Sequence, residues 1–363
     1  YVEQDYPDIG TGQYNYQSFA ADTNNHWNST GQKTINVNTY PALKFTDPTP
    51  AEGAIIRNTP VDINTSITAH NLGEMNFEWN NTNYTYYGQD LVGMYNFDDY
   101  TNATDTSLYG NDGNVIGGSL TSNGKYGGAY DFDGNDDYME IKDKVGGQDK
   151  VTVSTWVNPD TFGNQDRSTV GKWGDVFLIW YDNGYNRWQT IVKDSAGTNF
   201  QVNDKGPIPK TNTWMHLATT YDKDNELRFY VNGKEVGSTS VNGNPLNDGA
   251  PWFGIGWANN NGYFDGRIDE VRIWNRSLST EEVKQQYYGN LRKNDANKWG
   301  LLVGQRSLFS GQYNYQSFAA DTNNHWNSTG QKTINVEGFT FQINITQAPQ
   351  DFSFQVDNSQ NMF

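Results

Sequence analysis

Phe264-Asp265-Gly266-Arg267-Ile268-Asp269-Glu270-Val271-Arg272-Ile273-Trp274-Asn275 closes the most informative block of this 363-residue chain. Upstream of it, Leu227-Arg228-Phe229-Tyr230-Val231-Asn232-Gly233-Lys234 sets Asn-Gly between two β-forming runs, the strongest short-range hairpin signal. Before that come Thr213-Trp214-Met215-His216-Leu217-Ala218 and Val151-Thr152-Val153-Ser154-Thr155-Trp156-Val157. Earlier still is Gly124-Lys125-Tyr126-Gly127-Gly128-Ala129-Tyr130-Asp131-Phe132-Asp133-Gly134, which leads to Asp137-Tyr138-Met139-Glu140-Ile141. The block opens on Leu91-Val92-Gly93-Met94-Tyr95-Asn96-Phe97-Asp98 and Tyr109-Gly110-Asn111-Asp112-Gly113. Short strands separated by Gly, Asn and Asp turns read as an antiparallel sandwich. One helix follows: Ser279 fits its N-cap, Glu282 completes a capping box, and Val283 with Tyr287 forms one apolar stripe.

In order and spacing, this succession resembles the laminin-G-like, concanavalin-A-like jelly-roll family over residues 89–289. The resemblance implies a two-sheet sandwich, often a carbohydrate- or protein-binding module of secreted proteins. The flanking segments resemble modular archaeal cell-surface proteins, in which such a domain sits between immunoglobulin-like pieces.

Because such folds also host glucanases, a catalytic pair must be sought. A retaining glycosidase needs two carboxylates about 5–5.5 Å apart, which on one strand means residues two apart facing one cleft. The nearest counterpart of the glucanase pattern Glu-x-Asp-x-Glu is Arg267-Ile268-Asp269-Glu270-Val271, with Arg267 and Val271 where the two Glu would stand. Asp269 and Glu270, as strand neighbours, are expected on opposite faces. His26, His70, His216 and His325 are scattered, and His216 reads as structural. No catalytic residue is assigned, and the chain is expected not to be an enzyme.

Asp131-x-Asp133-x-Asn135, followed by Asp136 and Asp137, alternates oxygen ligands. It is no EF-hand, since Gly134 stands at the fourth loop position and Lys142 where the bidentate acid belongs. Two readings stay open: a tight strand connection, or a cation site of Asp131, Asp133, Asp136 and Asp137. For the second, Ca²⁺ is the ion an acidic oxygen-rich loop takes; no cofactor is required. Trp173, Trp180, Tyr181, Tyr185 and Trp188 cluster around a Gly/Asn-rich turn. They form either a platform for sugar rings, which stack on flat apolar faces, or core and cross-strand pairs of two neighbouring strands.

Outside the block, residues 12–37, GQYNYQSFAADTNNHWNSTGQKTINV, recur unchanged at 311–336. The interval is too long for a solenoid period and reads as the duplication of one large unit. Each copy reads as a β-hairpin with a long turn at 22–31, suited to the last two strands of an immunoglobulin-like sandwich. Earlier strands of that sandwich are expected at 42–45, 61–68 and 75–79. The expected fold is all-β: a concanavalin-A-like jelly roll (89–289) inserted into an immunoglobulin-like β-sandwich (38–88 plus 290–337). Partial sandwich strands flank it at both termini (1–37 and 338–363).

An isolated hairpin is marginal in water, and exposed edges invite pairing. Tyr14, Tyr16, Phe19, Ile35 and Val37 in the first copy, and Phe339, Phe341, Ile343, Phe352 and Phe354 in the tail, are the expected assembly residues. The hairpin of one subunit and the tail of a neighbour would complete a shared sandwich by strand addition, building a head-to-tail filament. The alternatives are a piece of a longer tandem array, or ends that fold together within one chain.

Composition narrows the partners. A net charge of -17 disfavours nucleic acid and anionic membranes. No run approaches ~18 apolar residues, so no membrane insertion is expected. With no cysteine there is no disulfide framework and no thiolate chemistry. The hydrophobic share of 35% is low, but 12 Trp, 23 Tyr and 18 Phe exclude a disordered chain. Eight sequons, at Asn28, Asn64, Asn80, Asn83, Asn102, Asn275, Asn327 and Asn344, are open to glycosylation in an exported chain. The expected function is a structural subunit of an extracellular surface filament or surface layer, self-associating head-to-tail with the jelly roll displayed outward. The alternative is a glycan-binding adhesin or lectin module of a cell-surface protein.

Overall fold

The computed structural model describes residues 12–37, 40–98, 103–142, 147–172, 176–206, 208–249, 252–258 and 262–338. The tail residues Phe339, Phe341, Ile343, Phe352 and Phe354, the sequons Asn102 and Asn344, and Trp173 lie outside this set. Two β-sandwiches carry the chain. No helix among the described residues is long and apolar enough to cross a membrane.

The larger sandwich has two antiparallel sheets. Its eight-stranded sheet runs Ser119–Tyr126, Gly128–Asp133, Asp265–Trp274, Lys150–Pro159, Met215–Asp222, Glu226–Val231 and Lys234–Ser240, and Leu91–Tyr95 also pairs with Asp265–Trp274. Its seven-stranded sheet runs Asn114–Ile116, Tyr138–Lys142, Trp252–Ile255, Arg167–Lys172, Phe177–Asp182, Arg187–Lys193 and Asn199–Asn203. Strand alternation sends Met139, Ile141, Phe253, Ile255, Phe177, Ile179 and Trp188 from one sheet into a core shared with Val153, Val157, Leu217, Ile268 and Ile273 from the other. The Asn232-Gly233 turn forms with φ of 50° and 72°, as a two-residue hairpin requires.

The strand Asp265–Trp274 departs from the expected alternation. Ile268, Val271 and Ile273 all enter the core, which a regular two-residue period forbids. One extra residue is absorbed where the pairing with Lys150–Pro159 shifts between Ser154 and Trp156, and Glu270 takes a left-handed φ of 51°. This is a β-bulge. Asp269 and Glu270 therefore lie on the same, outer side of the sheet, with Arg272, rather than on opposite faces.

The smaller sandwich is built from both flanks of the larger one. Its four-stranded sheet runs Gly289–Asp295, Lys298–Gln305, Val61–Thr68, Ala42–Thr46. Its six-stranded sheet contains Ala54–Ile56, Lys332–Val336, Gly311–Asp321, Leu72–Trp79 and Thr82–Tyr87, with Trp326–Ser328 paired to Gly311–Asp321. Ile63, Ile67, Leu301 and Val303 face Met75, Phe77, Tyr315 and Ile334 across the core. Thr65 and Ser317 share a buried hydroxyl hydrogen bond of 2.7 Å. This sandwich is closed within the one chain.

The helix Thr280–Tyr288 has the expected capping box: the Ser279 hydroxyl accepts from the Glu282 N–H, and the Glu282 carboxylate accepts from the Ser279 N–H. Val283 is buried where the two sandwiches meet, in one apolar cluster with Met94, Ala218, Tyr230, Trp274 and Leu291.

The first copy of the repeat folds as a hairpin, Gly12–Tyr16 against Lys33–Val37. Within the span expected to be one long turn, Trp27–Ser29 is a strand that forms a second short ladder with Phe19–Ala21. Asp22 tightens its turn by accepting from the N–H groups of Asn24 and His26, and Asn25 takes a φ of 63°.

Candidate functional site

The outer side of the eight-stranded sheet is covered. Trp156 stacks on Tyr287 of the helix with ring centroids 5.4 Å apart, and Trp274 and Tyr230 are buried against the smaller sandwich. The larger sandwich's other broad face is the outer side of the seven-stranded sheet. Since Met139, Ile141, Phe253 and Ile255 point inward, Tyr138, Glu140 and Trp252 project outward.

Trp257 and Tyr263 join them from the segment that follows Trp252–Ile255. That segment folds back over the sheet because Gly254 has no side chain: a Cβ there would stand 2.0 Å from the Trp257 carbonyl oxygen. Gly256, at φ +84°, makes the turn. The result is an aromatic group. Trp252 and Trp257 stack at 5.6 Å and 27°, and Trp257 and Tyr263 at 5.2 Å and 15°. Tyr138 sits edge-on to Trp257 at 5.2 Å. All four rings are half-buried. Partial burial, with Glu140 nearby, raises the Tyr138 phenol above its ordinary pKa. Arg167, nearly buried, holds the group's edge in place by donating to the carbonyls of Tyr263 at 2.7 Å and Gly134 at 3.1 Å. Such a group combines apolar ring surface with polar N–H and O–H tips.

Of the two readings of the 173–188 aromatic cluster, the described residues follow the second, core and cross-strand pairs. Tyr181 and Trp188 are cross-strand partners buried in the core, and Phe162 stacks on Tyr181 at 3.9 Å. Trp180 is buried with Leu178 and Ala258. Of the four described residues of the cluster, Tyr185 alone is exposed, at 69%, in the turn before Arg187. The alternation Phe177, Ile179, Tyr181 already matched a core-facing strand, and cross-strand pairing decides it. The rings that do gather lie more than a hundred residues apart in part: Tyr138 meets Trp252 only because strands 138–142 and 252–255 are neighbours. The local signal was Trp252-Phe253-Gly254-Ile255-Gly256-Trp257, two Trp around two Gly.

Beside Tyr138, the carboxylates of Asp133, Asp136 and Asp137 come within 4.8 Å of one another, and Asp131 is outside that group. Hydrogen bonds build a turn there: Asp133 accepts from the Asn135 N–H at 2.9 Å, and Asp137 accepts from the Asp133 N–H at 3.0 Å.

Asp269 and Glu270 form a different feature, buried where the sandwiches meet. Asp269 accepts from the N–H groups of Lys125, Tyr126 and Glu270. Glu270 accepts from Asn96, Asn290 and Arg272, the last at 3.1 Å. Burial is the main cause that pushes Glu270 up to about 7, and burial with the Glu270 charge holds Asp269 well above the carboxylate range. His216, buried against Trp156, is pushed down to about 3 by the same desolvation. These groups are tied into a junction network. Next to it is a polar cleft of about 500 Å³ between the sandwiches, lined by Lys125, Tyr126, Asn290, Arg292 and Trp299 among others.

The sequon residues are spread over the fold. Asn28, Asn80, Asn83 and Asn327 are exposed, Asn64 and Asn275 half-buried. The Asn64 amide donates to the Asp47 carbonyl, and that of Asn327 to the Pro41 carbonyl.

The family model described as the concanavalin A-like lectin/glucanases superfamily matches residues 133–284, the heart of the larger sandwich. This part of the larger sandwich is thus concanavalin A-like, of the laminin G kind, over residues 133–284. Among solved structures, this chain is similar to domain 4 of an extracellular arabinanase from Geobacillus stearothermophilus, determined in complex with arabinotriose. That match has 22% identity and a TM-score of 0.43, covering 54% of this chain and 97% of that one. It is also similar to the ligand-binding domain of botulinum neurotoxin serotype D, in complex with N-acetylneuraminic acid. There the identity is 15% and the TM-score 0.45, covering 55% of this chain and 50% of that one. No curated protein matches the sequence.

Proposed function

We propose that this chain is a glycan-binding module of a cell-surface or secreted protein, non-catalytic, with its jelly roll as the binding element. The observation that carries this reading is the stack of Trp252, Trp257 and Tyr263, half-exposed on the jelly roll's broad face that is not covered by the helix and the smaller sandwich. The lectin/glucanase family of residues 133–284 supports it. The smaller sandwich, which we read as immunoglobulin-like, presents the jelly roll by covering its opposite face. A glycan array, followed by titration calorimetry on any hit, tests the reading. Binding should weaken in Trp252→Ala and Trp257→Ala and persist in Tyr185→Ala. The second reading, a self-associating surface subunit, is favoured by one separate observation: the two repeat copies have very different environments.

A further inference from the structure

The two copies of the repeat have the same internal structure. Gly12↔Val37 through Tyr16↔Lys33 has the register of Gly311↔Val336 through Tyr315↔Lys332. The short ladders Phe19↔Ser29 and Phe318↔Ser328 also correspond. In both, the His ring meets the Asp carboxylate at 2.9 Å, His26 on Asp22 and His325 on Asp321. The turn residues Asn25 and Asn324 share φ values of 63° and 65°.

Their surroundings differ. The second copy lies in a seat made by two strands. Leu72–Trp79 pairs antiparallel with Tyr315 to Asp321, and Ala54–Ile56 pairs parallel with Ile334 to Val336. There Tyr315, Ala319 and Ile334 are fully buried. In the first copy the corresponding Tyr16 and Ile35 are 55% and 41% exposed, and Ala20 is exposed too. None of its residues described for burial is buried. A preformed segment thus shows solvent the apolar face that its identical twin buries in the same chain.

We infer that residues 12–37 are a ligand for the seat on a second copy of this chain, where they take the place of that copy's residues 311–336. Identity of sequence and of internal geometry makes the contacts in the seat the same for either segment. Each chain has one seat and two segments, so every exchange fills one seat and releases one segment. Contacts are conserved, and the balance is set by protein concentration against the tether that keeps 311–336 beside its own seat. The released segment can fill a third chain's seat, so the association is head-to-tail and open. Exchange requires the core around Tyr315 to open, and is therefore slow. The inference is independent of the glycan-binding reading.

The chain has no cysteine, which permits a clean test. Ala319 is the register partner of Met75, and Ala20 is its counterpart in the first copy. Full-length Ala20→Cys and Met75→Cys proteins are mixed in a thiol redox buffer at high concentration. The expected product is the mixed disulfide between the two variants, lost when the Ala20→Cys chain also carries Tyr16→Asp and Ile35→Asp. The double variant Ala319→Cys with Met75→Cys, closing within one chain, confirms that the register permits the bond. A second pair, Gln17→Cys with Glu78→Cys, reads the same register from the outer face should Met75→Cys impair folding, because Gln316 pairs with Glu78. Disulfide homodimers of the Ala20→Cys chain alone, with the thiol of the Met75→Cys chain left reduced, would overturn the inference.

Discussion

Tyr16 and Tyr315 hold the same position in two identical segments, yet Tyr16 is 55% exposed and Tyr315 is fully buried. Tyr315 packs against Phe45 at 5.2 Å and donates its hydroxyl to the Pro50 carbonyl at 2.9 Å. Its truncation removes a core aromatic. Tyr315→Ala should cost about 3–5 kcal/mol, and Tyr16→Ala no more than about 0.5 kcal/mol. Urea denaturation of the two variants checks this. Equal costs would mean that both copies are packed alike.

The same pair marks how far the sequence could be read. The repeat, the strands around Met75, Phe77 and Trp79, the Asn232-Gly233 hairpin and the Ser279 cap follow from local pattern, and the structure has them all. The seat occupied by residues 311–336 is built from strands some 240 to 280 residues earlier, and no local pattern distinguishes the seated copy from the free one. The choice between platform and core for the 173–188 aromatics was open for a related reason. Trp180, Tyr181 and Trp188 advertise themselves as a cluster in sequence, but pairing and alternation send them inward. Tyr138, Trp252, Trp257 and Tyr263 meet only through strand order. The bulge at Glu270 was hidden because one extra residue in a strand leaves no compositional trace, and it overturned the expected facing of Asp269 and Glu270.

Glu270 combines a buried ion pair with a left-handed backbone. Glu270→Ala leaves the Arg272 guanidinium buried without its carboxylate partner and should cost about 3–5 kcal/mol. Glu270→Gly loses the same carboxylate but relieves the φ of 51°, so it should be more stable than Glu270→Ala by about 1 kcal/mol. Parallel denaturation curves would show that order, and the reverse order would contradict the bulge.

The buried carboxylates Asp269 and Glu270 predict a pH dependence. Glu270 is raised to about 7 and Asp269 is raised well above its ordinary value, while in the unfolded chain both titrate near 4. Between these values the folded state binds more protons than the unfolded one, so this pair's contribution falls as pH rises. It is fully present below about pH 4 and is lost as pH climbs through about 7. Asp321, held down by its His325 and Asn323 hydrogen bonds, acts oppositely and loses its contribution as pH falls below the ordinary carboxylate range. His216, pushed down to about 3, also acts oppositely, up to its unfolded value near 6.5. One imidazole is outweighed by two raised carboxylates, so the urea midpoint should be higher at pH 5.5 than at pH 8, and Glu270→Gln should flatten that slope. A midpoint that rises from pH 5.5 to 8 would contradict the assignment.

We place glycan binding on the jelly-roll face that bears Trp252, Trp257 and Tyr263. The deciding measurement is the affinity of the full chain and of Trp257→Ala for a glycan selected on an array, with a melting curve to confirm that the variant is folded. Loss of a central aromatic anchor should weaken binding by roughly 2 kcal/mol, about thirtyfold. A folded Trp257→Ala protein with unchanged affinity, or a full chain that binds no glycan on the array, would contradict this placement.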